Sequence, residues 1–445
     1  MSKIKLYCLL ICLFFSFLLA SCGQVISSNI LSEKEFVRVE GNNFMIGDTS
    51  YYYAGVNFWF GCYLGATQEG RERLVKELDF LKEIGITNLR VLGASEESTR
   101  SRSVTPAIQT EPGVYDESLL VGLDYLLDEM GKRDMKAVVF LNNYWEWSGG
   151  MGQYMGWVTN EQVEDPYRGG SWTGLMAQSA RFYSNEKAQE IFRDYIEMLI
   201  NRKNTVNGLE YKSDPTIMTW ELANEPRPGP NGRQGERNLD SFYKWIQETA
   251  AYIKSLDSNH LITPGTEGTW GCLEKDEVFM KAHSFDEIDY GTVHLWPKNW
   301  SWFIANQIDQ TLPKSLSNAK QYLDNHIKLG KELGKPLILE EFGLDRDNGE
   351  LAFGTPVTAR DQFLKLMYDM VYEDAKAGGS MAGTNVWSWG GFGRGQNADG
   401  YWKPGDPYTG DPPQEKQGLN CIYDTDESTI AILKEHSQKM QSLIP

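Results

Sequence analysis

The chain has 445 residues, 41% hydrophobic and 12% aromatic, with a formal charge of −18. That is ample material for a large core, in one domain or several. An acidic chain without a dense Lys/Arg run is repelled by a phosphate backbone, which argues against nucleic acid as a partner, whereas a neutral polymer is compatible with it.

The first element is a targeting segment. Lys3 and Lys5 precede the apolar stretch "LYCLLICLFFSFLLA", too short to span a bilayer comfortably. It ends in Leu19-Ala20-Ser21-Cys22, which resembles a bacterial lipobox. This predicts a lipoprotein signal peptide over 1–21, lipidation of Cys22, a tether over 22–35 and a single domain over 36–445. The expected location is outside the cytoplasm, anchored to a bacterial outer membrane or cell surface. A plain secretory signal cleaved near Ala20 is the alternative.

Eight apolar runs follow: 51–59, 87–93, 136–143, 216–225, 261–268, 290–296, 336–343 and 383–390. Several are continuous rather than alternating, as expected of parallel strands covered on both faces. Segments of helical period lie between them. In "RERLVKELDFLKEIG", Leu74, Leu78, Leu81 and Ile84 recur at helical spacing and Gly85 suits a C-terminal cap. Residues 273–283 give the weakest helix, and "STIAILKEHSQKMQSLI" gives the last. The alternation predicts an α/β protein, a single (β/α)8 TIM barrel. An open doubly wound sheet would need a glycine-rich phosphate turn after its first strand, and "GVNFWFGCYLG" is too aromatic for that role.

In such a barrel, chemistry sits where the strands end. The run ends supply Arg90, Asn224, Glu225, His294, Trp296, Glu340, Glu341, Trp387 and Trp389. Two carboxylates facing each other across an aromatic cleft suit glycoside hydrolysis, which needs one acid for the leaving oxygen and one ionised carboxylate for the anomeric carbon. Glu221 lies deeper on its run and is expected to be a structural carboxylate paired with an interior Arg or amide. The five histidines show no metal-ligand spacing, so no metal and no cofactor is expected. His260 and His436 are expected on the surface near helix ends. Cys62, Cys272 and Cys421 allow one disulfide and one free thiol, with the pairing open. The loop after the third run, "NNYWEWSGGMGQYMGWVTNEQVEDPYRGGSWTG", is long and aromatic. It is expected to wall a cleft in which Trp59 and Trp145 serve as sugar platforms.

The motifs "WELANEP", "EEFG", "NLRVLG", "HLWP" and "NVWSWG" resemble those of glycoside hydrolase family 5, most closely its β-mannanases. The resemblance runs from residue 51 to about 443. It implies retaining, endo-acting hydrolysis of β-1,4-mannosidic bonds in mannan, glucomannan or galactomannan by a monomer. Glu225 would be the acid/base and Glu341 the nucleophile, their carboxyl groups about 5–5.5 Å apart. Arg90 would lower the pKa of the nucleophile, Asn224 would bind the sugar 2-position, His294 would orient groups at the centre, and Trp387 would be the stacking floor. Glu340, next to Glu341, is expected to point the other way. One departure stands out: many members carry His-x-Tyr where this chain has His294-Leu295-Trp296, and an indole donates a hydrogen bond but cannot accept one or ionise as a phenol does. A β-1,4-glucanase, an exo-β-mannosidase of the same fold and a non-catalytic glycan-binding lipoprotein are the rival readings.

Overall fold

The computed structural model describes residues 36–444. The signal peptide, Cys22 and the tether expected over 1–35 lie outside the described residues.

Each of the eight apolar runs forms a strand: β1 (Tyr53–Asn57), β2 (Asn88–Leu92), β3 (Lys136–Phe140), β4 (Ile217–Glu221), β5 (Leu261–Thr263), β6 (Gly291–Leu295), β7 (Leu337–Phe342) and β8 (Met381–Val386). All their residues are buried except the half-exposed Lys136, because helices cover the outer face and side chains fill the inner one. The strands pair in parallel in the order β5-β4-β3-β2-β1-β8-β7-β6. Between β5 and β6 no ladder forms among the described residues. Discrete bonds close the barrel there: Asp289 N–H donates to Ile262 O at 2.8 Å, Thr263 Oγ1 to Tyr290 O at 3.0 Å and Thr292 Oγ1 to Thr266 O at 2.8 Å.

The helices follow the predicted periodicity. In Gln68–Glu83, Leu74, Leu78 and Leu81 face the barrel, and Thr67 Oγ1 caps the start by accepting from Gly70 N–H at 3.0 Å. Gly85 just beyond it adopts a φ of +86°, which a side chain would disfavour. The weakest segment forms only the short helix Asp276–His283. Among the described residues no helix is long and apolar enough to cross a membrane.

An antiparallel sheet of Val37–Glu40, Asn43–Ile46 and Thr49–Ser50 was not foreseen, its strands being too short to show a period. It plugs the N-terminal end of the barrel. Phe44 packs edge-on against Tyr290 at 5.3 Å and stacks on Tyr53 at 6.4 Å, in an apolar cluster with Val37, Met218 and Ile338.

Two expectations fail here. His260 and His436 are buried, not surface residues. His260 sits between Asp257 Oδ2 at 2.5 Å and Asp214 O at 2.9 Å, and His436 stacks on Tyr368 at 4.0 Å with Nε2 3.2 Å from Thr384 Oγ1. Helix ends dock on strand ends in this fold, so a histidine near a helix terminus faces inward. The possible disulfide is likewise absent: Cys62, Cys272 and Cys421 are all free and buried.

Removing the plug's anchor tests its contribution. Phe44→Ala should cost about 3–5 kcal/mol of stability, read as a lowered urea midpoint, while the barrel's far end keeps its geometry.

Candidate active site

Arg90 ends near the axis of the barrel mouth, fully buried, with Phe140 beneath its guanidinium at 4.9 Å. Such a group has five N–H donors, and each has an acceptor. Nε and Nη2 grip Glu221 at 2.9 and 2.6 Å, Nη1 reaches Glu341 Oε1 at 2.5 Å and Asn57 Oδ1 at 3.0 Å, and Nη2 also reaches Asn224 Oδ1 at 2.7 Å. Glu340 Oε2 stands 3.7 Å from Nε. Glu221 is thus the buried, Arg-paired carboxylate expected from its depth on the strand.

Glu340 does not point away from Glu341. The β6–β7 register shifts between Val293 and His294: Val293 faces Leu339 and His294 faces Glu341, leaving Glu340 as an extra residue. A bulge breaks the alternation of side chains and re-aims them. Both carboxylates therefore converge on Arg90 and His294.

Glu225 follows β4 with a φ of +52°, a left-handed conformation unusual for a glutamate. Its N–H is tied to Gly265 O at 2.9 Å. Its Oε2 accepts from the Trp145 indole N–H at 2.5 Å, and its Oε1 lies 2.7 Å from His294 Nδ1. His294 Nδ1 is also 3.4 Å from Glu341 Oε2, and its Nε2 is 3.3 Å from Glu340 Oε2. One ligand atom each from Glu225, His294 and Glu341 lies within 4.8 Å of the others. Those three atoms could hold a small cation, a possibility that sequence spacing does not reveal because they come from three separate strands. His294 Nδ1 lies between the two carboxylates, which suits proton sharing.

Burial drives the protonation of the site. It pushes the Glu225 carboxyl up, against the pull of Arg227, the Trp145 N–H and Arg90. It raises Glu341 well above the usual range; Arg90 opposes this, but Glu225, Glu221 and Glu340 add to it. Arg90 pulls Glu341 down, as expected of it, but one guanidinium is shared among several acids and burial outweighs it. Burial also lowers His294 to about 4, so its imidazole is neutral. A neutral imidazole has one N–H. That N–H lies between carboxylate acceptors on both sides of the ring, Glu340 at Nε2 and Glu225 and Glu341 at Nδ1.

These groups open into a cleft of about 790 Å³. Asn224, Trp145, Trp296 and Trp387 line it as expected. Asn224 Nδ2 donates to Asn143 Oδ1 at 3.1 Å. Trp296 stands beside the Glu225 carboxyl and favours its charged form, so the departure from Tyr places an N–H near Glu225. It meets Trp387 edge-on at 5.9 Å. Among the described residues the Trp387 Nε1 has no hydrogen-bond partner. Trp59 is not a platform: only 1% exposed, it donates Nε1–H to Gly410 O at 2.9 Å and packs on Trp147 and Tyr408. It stands two residues beyond the end of β1 at Asn57 and forms part of the packed wall behind the cleft.

Two cleft residues were not foreseen. Arg227 lies over the Trp145 ring at 5.0 Å and pairs with Glu267 through Nε at 2.5 Å. Burial and the nearby Glu225 raise Glu267 to about 8, against the pull of Arg227. Glu267 sits in the 261–268 run, so the strand-end rule applied to that run would have found it. Beyond it, Trp270 stacks on Trp300 at 4.4 Å.

Arg90→Met should leave several buried acids without their cation and cost about 3–5 kcal/mol. Chemical denaturation measures this directly, and a loss below about 1 kcal/mol would contradict the hub described here.

Comparison with known proteins bears on this arrangement. A family described as GH family 5 beta-mannosidase-like matches residues 34–444. Mannan endo-1,4-beta-mannosidase 5 of Arabidopsis thaliana is 31% identical over 371 residues, covering 79% of this chain and 78% of its own. Mannan endo-1,4-beta-mannosidase 5 of Solanum lycopersicum is 30% identical over 412 residues, covering 88% and 91%. Among solved structures, a glycoside hydrolase family 5 mannosidase from Rhizomucor miehei superposes with a TM-score of 0.84 at 33% identity, over 92% of this chain and 99% of that one. An endo-beta-1,4-mannanase from Thermotoga petrophila gives 0.63 at 26% identity, over 88% and 77%.

Proposed function

This chain belongs to the β-mannosidase-like family of glycoside hydrolase family 5, and from that premise we propose that it cleaves β-1,4-mannosidic bonds of mannan, glucomannan or galactomannan with retention of configuration. It is a glycoside hydrolase; the bond and the mechanism are our reading. The observation that carries the mechanism is the closeness of Glu225 and Glu341, with one carboxylate oxygen of each inside a 4.8 Å cluster. A double displacement uses carboxyl groups about 5–5.5 Å apart, whereas inversion leaves room for a water at about 6.5–9.5 Å.

In this mechanism Glu225 gives its proton to the leaving glycosidic oxygen while a Glu341 oxygen attacks the anomeric carbon. The products of that step are a free aglycone and a mannosyl ester on Glu341. Glu225 is now charged, and the Trp145 N–H and Arg227 stabilise it. Glu225 then takes a proton from water, whose oxygen attacks the same carbon, and Glu341 leaves as carboxylate against Arg90. Each carboxyl thus has a partner for the state it must reach: Arg90 for ionised Glu341, Trp145 and Arg227 for ionised Glu225.

Cutting inside the chain is the reading implied by sequence resemblance, and the names of the curated relatives support it. Release of terminal residues is a second reading, favoured by the higher structural similarity to the Rhizomucor miehei mannosidase, 0.84 against 0.63 for the mannanase. A variant of that mannosidase has been solved in complex with mannosyl-fructose.

Glu341→Gln should reduce turnover of an aryl β-mannoside at least about a thousand-fold with an unchanged melting temperature. Glu225→Ala should keep the first step on an aryl leaving group that needs no proton, and added azide should give the β-mannosyl azide. An α-azide from Glu225→Ala, or near-normal turnover by Glu341→Gln, refutes the assignment.

The same reading includes a lipid anchor at Cys22, which would hold the enzyme outside the cytoplasm where a polysaccharide substrate is found. Cys22→Ser should abolish incorporation of labelled palmitate and release the enzyme from membranes; persistent labelling would contradict it.

A further inference from the structure

The hydrolysis described above gives Glu340 no part. Yet the β6–β7 bulge turns this fully buried carboxyl inward, toward the reacting groups. Its Oε2 lies 3.3 Å from His294 Nε2 and 3.7 Å from Arg90 Nε. On the other side of the same ring, His294 Nδ1 stands 2.7 Å from Glu225 Oε1. One imidazole thus joins Glu225, which lines the cleft, to a second carboxyl beneath it.

Hydrogen-bond accounting couples the two acids. A neutral imidazole has one N–H and one lone pair; an ionised carboxylate only accepts, and a protonated one can donate. The side of the ring that carries the N–H can face a carboxylate. The side that carries the lone pair needs a carboxylic acid. Two arrangements satisfy both contacts with the same number of protons. In one, Nε2–H donates to ionised Glu340 and protonated Glu225 donates to Nδ1. In the other, Nδ1–H donates to ionised Glu225 and Glu340 holds the proton. Only the first keeps Glu225 loaded as an acid.

The surroundings favour the first. The Glu340 oxygen that faces Nε2 also faces the Arg90 guanidinium, which favours negative charge on it. Glu221 and Glu341 oppose that charge, but Arg90 grips both of them as well. The Tyr53 and Tyr290 phenols near Glu340 are kept neutral by burial. At Glu225, Arg227, Arg90 and the Trp145 and Trp296 N–H groups pull toward the ionised form, while burial and the like charges of Glu341 and Glu267 resist it.

We propose that Glu340 is a positioning residue for the acid/base: it accepts the Nε2–H of His294, leaves the Nδ1 lone pair facing Glu225, and so keeps the catalytic proton on the Glu225 carboxyl. Once Glu225 has protonated the leaving oxygen, it is an anion beside a bare nitrogen. That contact favours its taking a proton from water in the second step. The ring keeps its single proton throughout. This rests on the acid/base role given to Glu225 above.

Glu340→Met removes the partner at Nε2. The ring N–H then moves to Nδ1, where Glu225 and Glu341 accept it, and Glu225 loses its proton at lower pH. The alkaline limb of kcat/KM should therefore move down by at least about one pH unit. On mannohexaose, whose leaving oxygen needs a proton, kcat/KM should fall at least about ten-fold further than on dinitrophenyl β-mannoside, whose leaving oxygen does not. Imidazole nitrogen NMR, with His294→Asn to identify the signal, reads the tautomer directly: Nε2–H in the wild type and Nδ1–H in Glu340→Met. An Nδ1–H tautomer in the wild type overturns the proposal, and that measurement decides alone if Glu340→Met does not fold. An unchanged tautomer in the variant, or equal losses on both substrates with an unmoved limb, would also overturn it. The NMR needs no turnover. If the tautomers are as stated and the wild type cleaves no mannoside, the proposed function falls and the Glu340–His294 pairing stands.

Discussion

The Arg90 guanidinium is the positive charge against which the acids of the barrel mouth are buried. A carboxylate moved from water into a protein interior loses several kcal/mol unless charge and hydrogen bonds replace its hydration. Here Glu221, Glu340 and Glu341 stand around one cation whose five donors are all engaged. The site is therefore short of positive charge by construction. This shortage raises Glu340 and Glu341, with burial as the leading cause, and favours a state in which a proton is shared among neighbouring acids. The same shortage that would destabilise an ordinary core makes a pair of carboxyls able to exchange roles within one catalytic cycle.

Everything around Arg90 serves to hold that arrangement still. Asn57 and Asn224 accept from it and are themselves fixed, Asn57 by donating to Glu340 O at 2.8 Å and Asn385 O at 2.9 Å, Asn224 by Asn143. The His294 ring spans Glu225 and Glu340. The apolar plug under the barrel keeps the other end dry, so that the polar upper layers lie between a hydrophobic floor and an aromatic cleft. Stability and chemistry are thus segregated to opposite ends of the same strands.

Two local irregularities bring the groups together. The bulge at Glu340 turns two consecutive glutamates toward one centre, and the left-handed backbone at Glu225 directs its carboxyl at His294 and Trp145. Both are departures from regular geometry next to reacting groups, where strain held by surrounding structure is a recurrent device. Neither has a signature in the amino-acid order. "LEEFG" reads as plain alternation, and the expectation that Glu340 turns outward follows from it; only the pairing of β6 with β7 reveals the skipped residue.

By itself the sequence determined the barrel, because eight apolar runs separated by helices of regular period leave few ways to bury every face. It also drew attention to Arg90, Asn224, Glu225, His294 and Glu341, because chemistry in such a barrel gathers at one end of the strands and these residues lie in or just after the second halves of the apolar runs. It misjudged Trp59, His260 and His436 because burial is a property of what packs above a residue, and those neighbours come from distant loops and helices. It passed over Arg227 and Glu267, whose meaning lies in their partners: a guanidinium over the Trp145 ring and the carboxylate from another strand end that pairs with it. One-dimensional order fixes which side chain stands at which strand end. The pKa of that side chain, its hydrogen-bond partners and the shape of the cleft above it depend on distances across the barrel, and only tertiary structure decides those.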